Sequence, residues 1–413
     1  MLFSSFLIAT LLTAAPDAPA ATPAASAART PISMKAIPPA TAIKFKMETF
    51  VKGVEVPWDM VFTSKDRMLF TERAGRVRQV VKGQLRNEPV AIIDNVISIG
   101  GENGLMGICL HPDYADNKFI YLAFGCKKDG EPNDVRVVRY VDAGNKLENP
   151  TVIIKGFPCG ANHAGCSVRF GPDGKLYITT GEAYKKLTAK DLSSYGGKLL
   201  RINGDGTIPT DNPFVSAEYK AKGAKPEIWS YGHRNSQGID WHPVTKELYS
   251  SEHGPSGSDA PGGGDEFNHL HVGHNYGWPD VHHAMTNDIS DPPLVEYTPS
   301  VAPASGVFYT GTLFPELKGA FLSGFLRGKA LVAFHVDGDK VVKQETLVKD
   351  LGRIRPVIVG PDGAIYFATS NKDGRGRPDA EDDRIFRLVA DTGETKPEVV
   401  PAPAAPAPTP SKQ

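Results

Sequence analysis

A short phrase of sequence recurs along the chain and constrains its fold more than any other feature. The two clearest copies are GPDGKLYITTGE, which begins at Gly171, and GPDGAIYFATSN, which begins at Gly360. Looser copies begin at Phe62, His111 and His242. Each copy has a polar turn followed by a short strand of alternating apolar residues, which is typical of a β-hairpin. The repetition predicts an architecture of several similar β units.

A sixth, more divergent strand pair begins at Gly319 with the sequence GAFLSGFLRGKALVAFHVDGDK. The six copies start at intervals of roughly 40 to 80 residues, which is compatible with four-stranded propeller blades that carry loop insertions. No long amphipathic helical pattern competes with this interpretation. We therefore predict an all-β fold, a six-bladed β-propeller of four-stranded antiparallel blades. The functional loops of a propeller gather at one end of its central channel.

The two ends of the chain differ in composition from the repeats. Residues 1–27 contain the apolar run MLFSSFLIATLLTA and small-residue sequences typical of cleavage sites, which predicts a secretory signal peptide. Because no Lys or Arg precedes the apolar run, an uncleaved membrane anchor is the alternative. We predict an Ala/Pro-rich linker at 28–40, the propeller domain at 41–392 and a disordered Pro/Ala-rich tail at 393–413. A periplasmic or secreted protein is expected.

Charge and cysteine content narrow the function classes. The chain has 46 basic and 47 acidic residues and a net charge of -1, so it lacks the positive field that draws proteins to nucleic acid. Its four cysteines form no C-x-x-C pair, which indicates neither a zinc site nor a c-type haem attachment. Cys159 and Cys166 are the closest pair, but disulfides and buried free thiols both remain open. No strand–GxGxxG–helix unit or P-loop is present, which argues against nicotinamide and P-loop nucleotide sites.

Four arginines stand beside predicted strand ends, in GHRN, FLRGK and GRIRP: Arg234, Arg327, Arg353 and Arg355. In RIRP the two arginines are two positions apart, so in an extended segment they point to the same side. Two guanidinium groups on one face repel each other unless an anion lies opposite, and arginine is suited to carboxylate recognition. An anion-binding site and a solvated or ion-paired strand edge are both consistent with this pattern.

Histidines in glycine-flanked turns are candidate catalytic or metal-binding residues. His163 lies in GANHAGCSVRFGPDG, immediately before a repeat strand, where catalytic and structural roles are both open. HLHVGHN contains His269, His271 and His274, and alternate residues of a strand share one face. No carboxylate or Cys stands beside them at zinc-like spacing, so the sequence does not favour a zinc or copper site there.

The surrounding segment fits a hard cation better. GGGDEFNHLHVGHNYGWP supplies side-chain oxygens from Asp265, Glu266 and Asn268, and its glycine-rich backbone can turn carbonyl oxygens towards an ion. Oxygen ligands of this kind suit Ca²⁺. The spacing is not that of an EF-hand loop, so the sequence suggests a calcium site without defining its ligands.

Nine blocks of sequence follow one another over about residues 50–390. They are VPWDMVF at 56, GENGLMGICLHPDY at 101, NHAGCSVRFGPDGKLYITTGE at 162, GGKLLRINGDGTIPTDNPF at 196, EIWSYGHRNSQG at 227, SSEHGP at 250, GDEFNHLHVGHNYGWP at 264, PSVAPASG at 299 and RIRPVIVGPDGAIYFAT at 353. Any one block is weakly diagnostic, whereas nine in the same order are specific. Together they resemble the soluble PQQ-dependent glucose/sorbosone dehydrogenases, the aldose sugar dehydrogenase family.

This resemblance implies roles for particular residues. His163 matches the general base that removes the proton of the sugar C1 hydroxyl while hydride passes to the quinone. Arg234 and Asn235 match residues around the reactive quinone oxygens, where positive charge stabilises a developing anion. Because PQQ is a tricarboxylate, the family places further cations around it, and these match Arg327, Arg353 and Arg355.

The resemblance also implies two calcium sites. The backbone carbonyls of Gly254 and Pro255 match ligands of the cofactor's Ca²⁺, and Glu266 and Tyr276 match a second, structural Ca²⁺ site. Glu102 stands at a cofactor-binding position where characterised members carry Gln. An extra carboxylate beside a polyanion weakens its binding unless the carboxyl is protonated or bound to calcium.

Two further positions depart from parts of the family. His253 replaces the Gln of the glucose enzyme, as in the aldose branch, and DVHHAMTND after NYGWP lacks a Tyr that aldose members place against PQQ. We predict an oxidoreductase that uses PQQ and Ca²⁺ to oxidise a small-molecule sugar, an aldose, to its lactone and passes electrons to a quinone or redox protein. The alternatives are a non-catalytic propeller that binds carbohydrate or protein and a calcium-dependent lactonase-like hydrolase. His163 together with the four arginines favours the dehydrogenase.

Overall fold

Six small antiparallel sheets are arranged as the blades of a β-propeller, which confirms the predicted fold. The computed structural model describes residues 29–97, 100–128, 130, 132–257 and 259–391. Strands make up 44% of the structure and helices 4%. None of the described helices is long and apolar enough to cross a membrane. The predicted signal peptide and the predicted tail at 393–413 lie outside the described residues.

The blades follow one another along the chain, and the first strands of neighbouring blades contact each other around the channel. Two strands precede blade 1: β1 (Ile32–Met34) and β2 (Phe45–Lys52). Blade 1 contains β3 (Pro57–Ser64), β4 (Arg67–Glu72), β5 (Arg76–Val81), β6 (Gln84–Leu85) and β7 (Ala91–Ile92). Blade 2 contains β8 (Leu105–Leu110), β9 (Phe119–Cys126), β10 (Asp134–Asp142) and β11 (Leu147–Phe157). Blade 3 contains β12 (Val168–Phe170), β13 (Leu176–Thr179), β14 (Lys198–Ile202) and β15 (Ile228–Tyr231).

The second half of the ring repeats this order. Blade 4 contains β16 (Ser236–Trp241), β17 (Leu248–Glu252), β18 (Asp265–Leu270) and β19 (Val295–Tyr297). Blade 5 contains β20 (Pro303–Phe308), β21 (Ala320–Phe325), β22 (Ala330–Asp337) and β23 (Lys340–Lys349). Blade 6 contains β24 (Ile354–Val359), β25 (Ile365–Thr369) and β26 (Arg384–Ala390), completed by β2. The described helical pieces are short: α1 (Tyr114–Asn117), α2 (Ala217–Ala221) and the 3-10 turns Lys186–Ala189 and Pro315–Leu317.

The hairpin turns explain why the GPDG phrase recurs. In both clear copies the tyrosine that follows the turn donates its hydroxyl to the aspartate of the turn, from Tyr177 to Asp173 at 3.1 Å and from Tyr366 to Asp362 at 2.9 Å. A Cβ on Gly360 would lie 2.4 Å from the Tyr366 ring, so the ring packs on backbone that only glycine leaves open. The phrase therefore encodes one local turn, which the chain reuses.

The core consists of six clusters of buried apolar side chains, one between each pair of adjacent blades. Blades 2 and 3, for example, meet through Tyr121 and Leu176, and blades 1 and 6 meet through Phe70 and Ile385. Each blade therefore buries both of its faces against neighbours, as the layered packing of sheets requires.

The N-terminal strand closes the ring. β2 pairs antiparallel with β26, with Phe45 opposite Ala390 and Lys52 opposite Arg384. Blade 6 thus contains one strand from the start of the domain and three from its end. Backbone hydrogen bonds between β2 and β26 therefore join the two ends of the domain within one sheet.

Part of the predicted linker at 28–40 is ordered on the propeller. β1 pairs in parallel with β19, with Ile32 opposite Val295, and Ala40 forms a bridge with Thr346. The pairing covers the outer edge of blade 4, whose backbone groups would otherwise face solvent. Proline and alanine content alone did not indicate this, because the partner strand lies far away in sequence.

The four cysteines are free thiols in the structure. Cys109, Cys126 and Cys166 are buried and Cys159 is half-buried. Cys159 accepts a hydrogen bond from Nδ2 of Asn103 at 3.1 Å, and burial raises its pKa. None of these thiols has the exposed, electropositive surroundings of a reactive cysteine.

Candidate functional site

A pocket of about 700 Å³ opens at the end of the channel where the innermost strands begin. Glu102, His163, Arg234 and Arg353 line it, and each stands just before the first strand of a different blade. In an antiparallel blade, the start of the first strand and the end of the second lie at the same edge. Loops that are distant in sequence therefore meet here, as the propeller prediction requires.

His163 is held at both ring nitrogens. Its Nδ1 pairs with the buried carboxylate of Glu182, and its Nε2 lies 2.8 Å from Nη2 of Arg234. Because a carboxylate accepts and a guanidinium donates, the arrangement requires a proton on Nδ1 and a lone pair on Nε2. This is the tautomer that a general base needs.

The backbone fixes the position of this histidine. His163 has a φ of 54°, in the left-handed region that few non-glycine residues adopt. Its carbonyl accepts a hydrogen bond from the N–H of Ala183 at 3.0 Å. A Cβ on Gly181 would lie 1.9 Å from that carbonyl oxygen, so no other residue fits there. The strained conformation is therefore maintained by the turn that carries Glu182.

Arg234 is a buried positive charge held rigidly beside His163. Its Nε and Nη2 donate to Oδ2 of Asp259 at 2.9 and 2.8 Å, and its Nη1 donates to the carbonyl of His253 at 3.1 Å. The guanidinium carbon lies 5.5 Å from the centre of the Trp278 ring. With this many partners the group has little freedom to move, which keeps its charge at the base.

Glu102 is buried, and both of its carboxylate oxygens are bound by the protein. Oε2 accepts from the backbone N–H of His163 at 3.1 Å and from Nδ2 of Asn235 at 2.8 Å. Oε1 lies 3.3 Å from Nδ1 of His253. Burial opposes ionisation, but the hydrogen bond with His253 and the charge of Arg355 bring the pKa of Glu102 well below its usual value. Glu102 is thus an ionised link between pocket loops, and the protonated carboxyl considered from sequence is not favoured.

Asn235 lies behind the pocket wall. Its Nδ2 donates to Glu102. Its Oδ1 accepts from the N–H of Gly165 and from Nε2 of Gln237, each at 3.1 Å. The residue is fully buried. It therefore acts on the pocket through Glu102, which it holds in place.

The other three predicted arginines line the same pocket: Arg327, Arg353 and Arg355. Arg353 donates from Nε to Oδ2 of Asp373 at 2.6 Å, and Arg355 donates from Nη1 to Oε1 of Gln237 at 3.1 Å. Within the described part of the chain, the side chain of Arg327 makes no hydrogen bond or ion pair, and that of Arg355 has no direct carboxylate contact. These two guanidinium groups are available to a ligand.

The pocket has an excess of positive charge. Its lining includes five arginines and three carboxylates, namely Arg234, Arg327, Arg353, Arg355, Arg375, Glu102, Asp265 and Asp373. Burial lowers the pKa of Arg355 to about 10, against the opposing effect of the Glu102 charge, so this guanidinium stays protonated at neutral pH. The buried Nε2 of His253 has no partner among the described residues. The guanidinium groups of Arg327 and Arg355, which have no carboxylate contact, fit a small polyanion.

A second cavity of about 10 Å³ adjoins the pocket and shares Arg234 and His253 with it. Its walls include all four residues assigned to calcium from sequence: Gly254, Pro255, Glu266 and Tyr276. The sequence resemblance divides these residues between two sites, whereas the fold brings them around one cavity. The space is that of about one water molecule or ion.

Three glutamates face one another across blade 4 beside this cavity. Glu252 in β17 lies opposite Glu266 in β18, which lies opposite Glu296 in β19. Burial and the negative charge of Glu252 raise the pKa of Glu266 well above its usual value. Like charges directly opposite destabilise a sheet, so a cation beside them offsets a cost that the bare protein carries. The donor set therefore fits a divalent cation with oxygen ligands.

The side chain of Tyr276 is already used by the protein. Its hydroxyl accepts from the N–H of His271 at 2.7 Å and donates to the carbonyl of His269 at 2.9 Å. The carbonyl of Pro255 accepts from the N–H of Gly263 at 3.0 Å. A carbonyl oxygen has a second lone pair, so the Pro255 carbonyl can still bind an ion. Tyr276 can offer its backbone carbonyl, since its hydroxyl is engaged.

The sequence analysis assigned no role to the residues that hold these groups in place: Glu182, Gln237, Glu252, Asp259 and Asp373. Glu182 and Gln237 lie inside blocks already singled out, TTGE and HRNSQG. A histidine base needs an acid to orient it, and this requirement could have pointed to Glu182. Asp259 and Asp373 lie in loops without any recurrent pattern, and only the fold places them beside their arginines.

The fold and this pocket, with a carboxylate-oriented histidine among several arginines, are those of a β-propeller enzyme. The glucose/sorbosone dehydrogenase family profile matches residues 54–378. The chain belongs to this family. That finding confirms the resemblance inferred from the nine sequence blocks and the assignment to the oxidoreductases.

Individual relatives agree with this assignment. The chain is 32% identical over 347 residues to aldose sugar dehydrogenase YliI of Escherichia coli, which covers 79% of this chain and 91% of the relative. It is 32% identical over 276 residues to quinoprotein glucose dehydrogenase B of Acinetobacter calcoaceticus, which covers 59% of this chain and 55% of the relative. The solved structure of the PQQ-bound aldose sugar dehydrogenase from Streptomyces coelicolor matches with a TM-score of 0.72 and 30% identity, over 85% of this chain and 99% of that one.

Proposed function

We propose that this chain is a PQQ- and Ca²⁺-dependent enzyme that oxidises an aldose at its anomeric carbon to the lactone and passes the electrons to an external acceptor. The observation that carries the proposal is His163, a base oriented by Glu182 in the same pocket that the arginines line. The quinoprotein among the relatives and the PQQ-bound neighbour support the choice of cofactor.

The donor set of the pocket fits PQQ. Arg327 and Arg355 have no carboxylate contact of their own within the described chain, and Nε2 of His253 is without a partner. Guanidinium groups bind carboxylates through paired hydrogen bonds, and PQQ carries three carboxylates. Arg327 and Arg355 would hold the cofactor, while the Oε2 atom of Glu102 is already engaged by its internal partners.

The base chemistry belongs to His163. PQQ, when bound, supplies the acceptor for the hydride that the anomeric carbon loses. The anomeric hydroxyl first replaces Nη2 of Arg234 as the hydrogen-bond partner of Nε2 of His163. Nε2 then takes the proton of that hydroxyl. Glu182 then stabilises the imidazolium through Nδ1, the role of the acid in a catalytic triad.

Arg234 gives electrostatic help at the same place. After the hydroxyl replaces it on His163, its guanidinium remains beside the oxygen that becomes negative as the proton leaves. Asp259 and the carbonyl of His253 prevent the group from swinging away. A preorganised charge of this kind stabilises a developing oxyanion.

Calcium would occupy the small cavity between the pocket and blade 4. Gly254, Pro255 and Tyr276 would contribute backbone oxygen, and Glu266 would contribute its carboxylate. A cation there would offset the repulsion among the facing glutamates of β17, β18 and β19. The ion would thus order the SSEHGP loop, which carries His253 to the pocket.

The test is the variant His163→Asn, measured with PQQ and Ca²⁺ supplied. We expect kcat for aldose oxidation to fall by roughly 10² to 10⁴, the usual contribution of a positioned general base, while PQQ affinity stays near that of the parent protein. His111→Asn, which changes a histidine on the β8–β9 turn, serves as the matched control. Full activity of the His163 variant would refute the assignment of the base.

Two rival functions have distinct outcomes in the same assays. A non-catalytic carbohydrate- or protein-binding propeller would bind sugar or protein but reduce no acceptor. A calcium-dependent hydrolase would open a lactone without PQQ. Either result, together with the failure of PQQ to bind, would replace the dehydrogenase proposal.

We also propose that the protein is exported and works in the periplasm or outside the cell, where a quinone or redox protein takes its electrons. The apolar run at the start of the sequence supports export. Cell fractionation with N-terminal sequencing of the recovered protein tests this. Recovery in the cytoplasm with residues 1–27 intact would contradict it.

A further inference from the structure

Three histidines at the end of β18 meet two carboxylates that the sequence places elsewhere. His269 lies in β18, and His271 and His274 lie in the turn that follows it. Asp291 comes from the segment just before β19, and Asp339 comes from the β22–β23 hairpin of blade 5. HLHVGHN has no nearby carboxylate in sequence, which argued against a transition-metal site. The fold supplies two carboxylates from other segments.

The distances within this cluster are those of a ligand set. Oδ2 of Asp291 lies 3.0 Å from Nδ1 of His271 and 2.9 Å from Nδ1 of His274. Donor atoms around a tetrahedral zinc ion are separated by roughly 3.3 Å, given metal–ligand distances of about 2.0 to 2.1 Å. A small adjustment of the side chains would thus place an ion between these three groups.

The buried carboxylate of Asp291 would be stabilised by a bound cation. The side chain is 3% exposed, and within the described chain its ion-pair partners are the two imidazoles, with no lysine or arginine. A buried carboxylate is costly unless it is paired or bound to a metal. The two imidazoles hydrogen-bond to it, and neither is a permanent positive charge like that of lysine or arginine.

We propose that His271, His274 and Asp291 bind one divalent transition-metal ion such as Zn²⁺. Two imidazole nitrogens and a carboxylate oxygen are the ligands that such ions prefer, whereas Ca²⁺ requires oxygen. The fourth position is left to water or to His269, whose ring centre lies 4.3 Å from that of His271. None of these three ligands lines the calcium cavity or the pocket of the proposed dehydrogenase.

The ligands are held ready by the surrounding structure. The turn is closed by hydrogen bonds from the N–H of His274 to the carbonyl of His271 at 3.3 Å and from the N–H of Gly273 to the carbonyl of Trp229 at 2.7 Å. His269 is stacked on Tyr249, with ring centres 4.5 Å apart. Preorganised ligands lose less freedom when an ion binds.

An ion can reach this position from solvent. His269 and His271 border a cleft of about 360 Å³ between blades 3 and 4, and the side chain of His271 is 32% exposed. Because His271 and His274 follow β18 and Asp291 precedes β19, the bound ion would fasten the two ends of one long connection. The expected effect is local stabilisation of blade 4.

The experiment is a Zn²⁺ titration of the full chain in the presence of excess Ca²⁺ and without PQQ or sugar, followed by calorimetry. The proposal predicts that His274→Asn binds one equivalent of Zn²⁺ fewer than the parent protein, or binds it more than about 100-fold more weakly. His163, Glu182 and Asp259 form another trio of possible ligands, so the difference between proteins is the relevant quantity. His111→Asn, a histidine beside a single carboxylate, should bind as the parent does.

A second measurement protects the test against a variant that fails to fold. X-ray absorption at the zinc edge of the parent protein, loaded with one equivalent, should show histidine nitrogen together with oxygen around the metal. Equal Zn²⁺ binding by the parent and the folded His274→Asn variant, no binding by the parent, or a zinc spectrum without imidazole would overturn the proposal. Because no step involves PQQ or sugar, these outcomes are independent of whether the dehydrogenase proposal holds.

Discussion

Glu182 determines which nitrogen of His163 carries the proton. Its Oε1 accepts from Nδ1, and its buried Oε2 has no partner within the described chain, so the carboxylate is committed to the imidazole. A carboxylate in this position orients the ring and stabilises the imidazolium that forms during proton transfer. The role of Glu182 is therefore to position His163, without touching the sugar.

Replacement of Glu182 by Gln should separate positioning from folding. The Gln amide can donate to Nδ1 and favour the tautomer with the proton on Nε2, which cannot accept the proton of the substrate. We expect kcat to fall by roughly 10² to 10⁴ with a melting temperature close to that of the parent. Steady-state kinetics and calorimetry measure both. Glu218→Gln on the surface of α2 is the control, and an unchanged kcat in the Glu182 variant would show that another group sets the tautomer.

Glu102 predicts a specific pH dependence of stability. Its pKa in the folded protein lies below that in the unfolded chain, because the interactions with His253 and Arg355 outweigh burial. A carboxyl of this kind stabilises the folded state above its unfolded pKa, and the contribution is lost as the pH falls. Glu102→Gln should therefore lower the free energy of unfolding by about 1 to 3 kcal/mol at pH 7 and by less near pH 3, which lies between the unfolded and the folded pKa.

Denaturant unfolding of both proteins at the two pH values measures this difference. Equal destabilisation at pH 7 and pH 3 would mean that Glu102 is not an ionised link in the folded protein. The residue was singled out from sequence because the family carries Gln there. Its ionised state could not be inferred, because it depends on His253 and Arg355, which lie far from Glu102 in sequence.

At the scale of elements, the start of the domain carries more than the sequence indicated. β2 completes blade 6, and β1 adds an outer strand to blade 4. The hairpins of the GPDG repeats were predictable because the turn, its aspartate and its tyrosine are neighbours in sequence. The pairing of β1 with β19 was not, because Ile32 and Val295 come together only after the ring has formed.

Truncation from the N-terminus should reveal two different contributions. Relative to a chain that starts at residue 28, removal up to residue 40 should lower the melting temperature by about 2 to 5 °C, since it deletes β1 and the Ala40 bridge. Removal up to residue 52 also deletes β2 and should abolish cooperative unfolding. Calorimetry distinguishes the three proteins. Cooperative melting of the shortest chain would show that blade 6 does not need β2.

At the scale of the whole molecule, the number of blades and the convergence of their loops could be predicted from the sequence. Six copies of a hairpin imply a closed ring, and a closed ring brings Glu102, His163, Arg234 and Arg353 to one end. The partners of these residues could not be predicted, because loop geometry sets them. For the same reason, the contact of the HLHVGHN histidines with Asp291 could not be predicted from the sequence.

The central claim is that the cationic pocket holds a polyanionic quinone and oxidises sugars with it. The most direct measurement is the reduction of an artificial electron acceptor by the purified protein with PQQ, Ca²⁺ and a panel of aldoses. The claim predicts aldose-dependent reduction with a lactone as product, loss of activity after chelator treatment and recovery when Ca²⁺ and PQQ are restored. Failure of PQQ to bind at any Ca²⁺ concentration, with no acceptor reduced by any aldose, would contradict it.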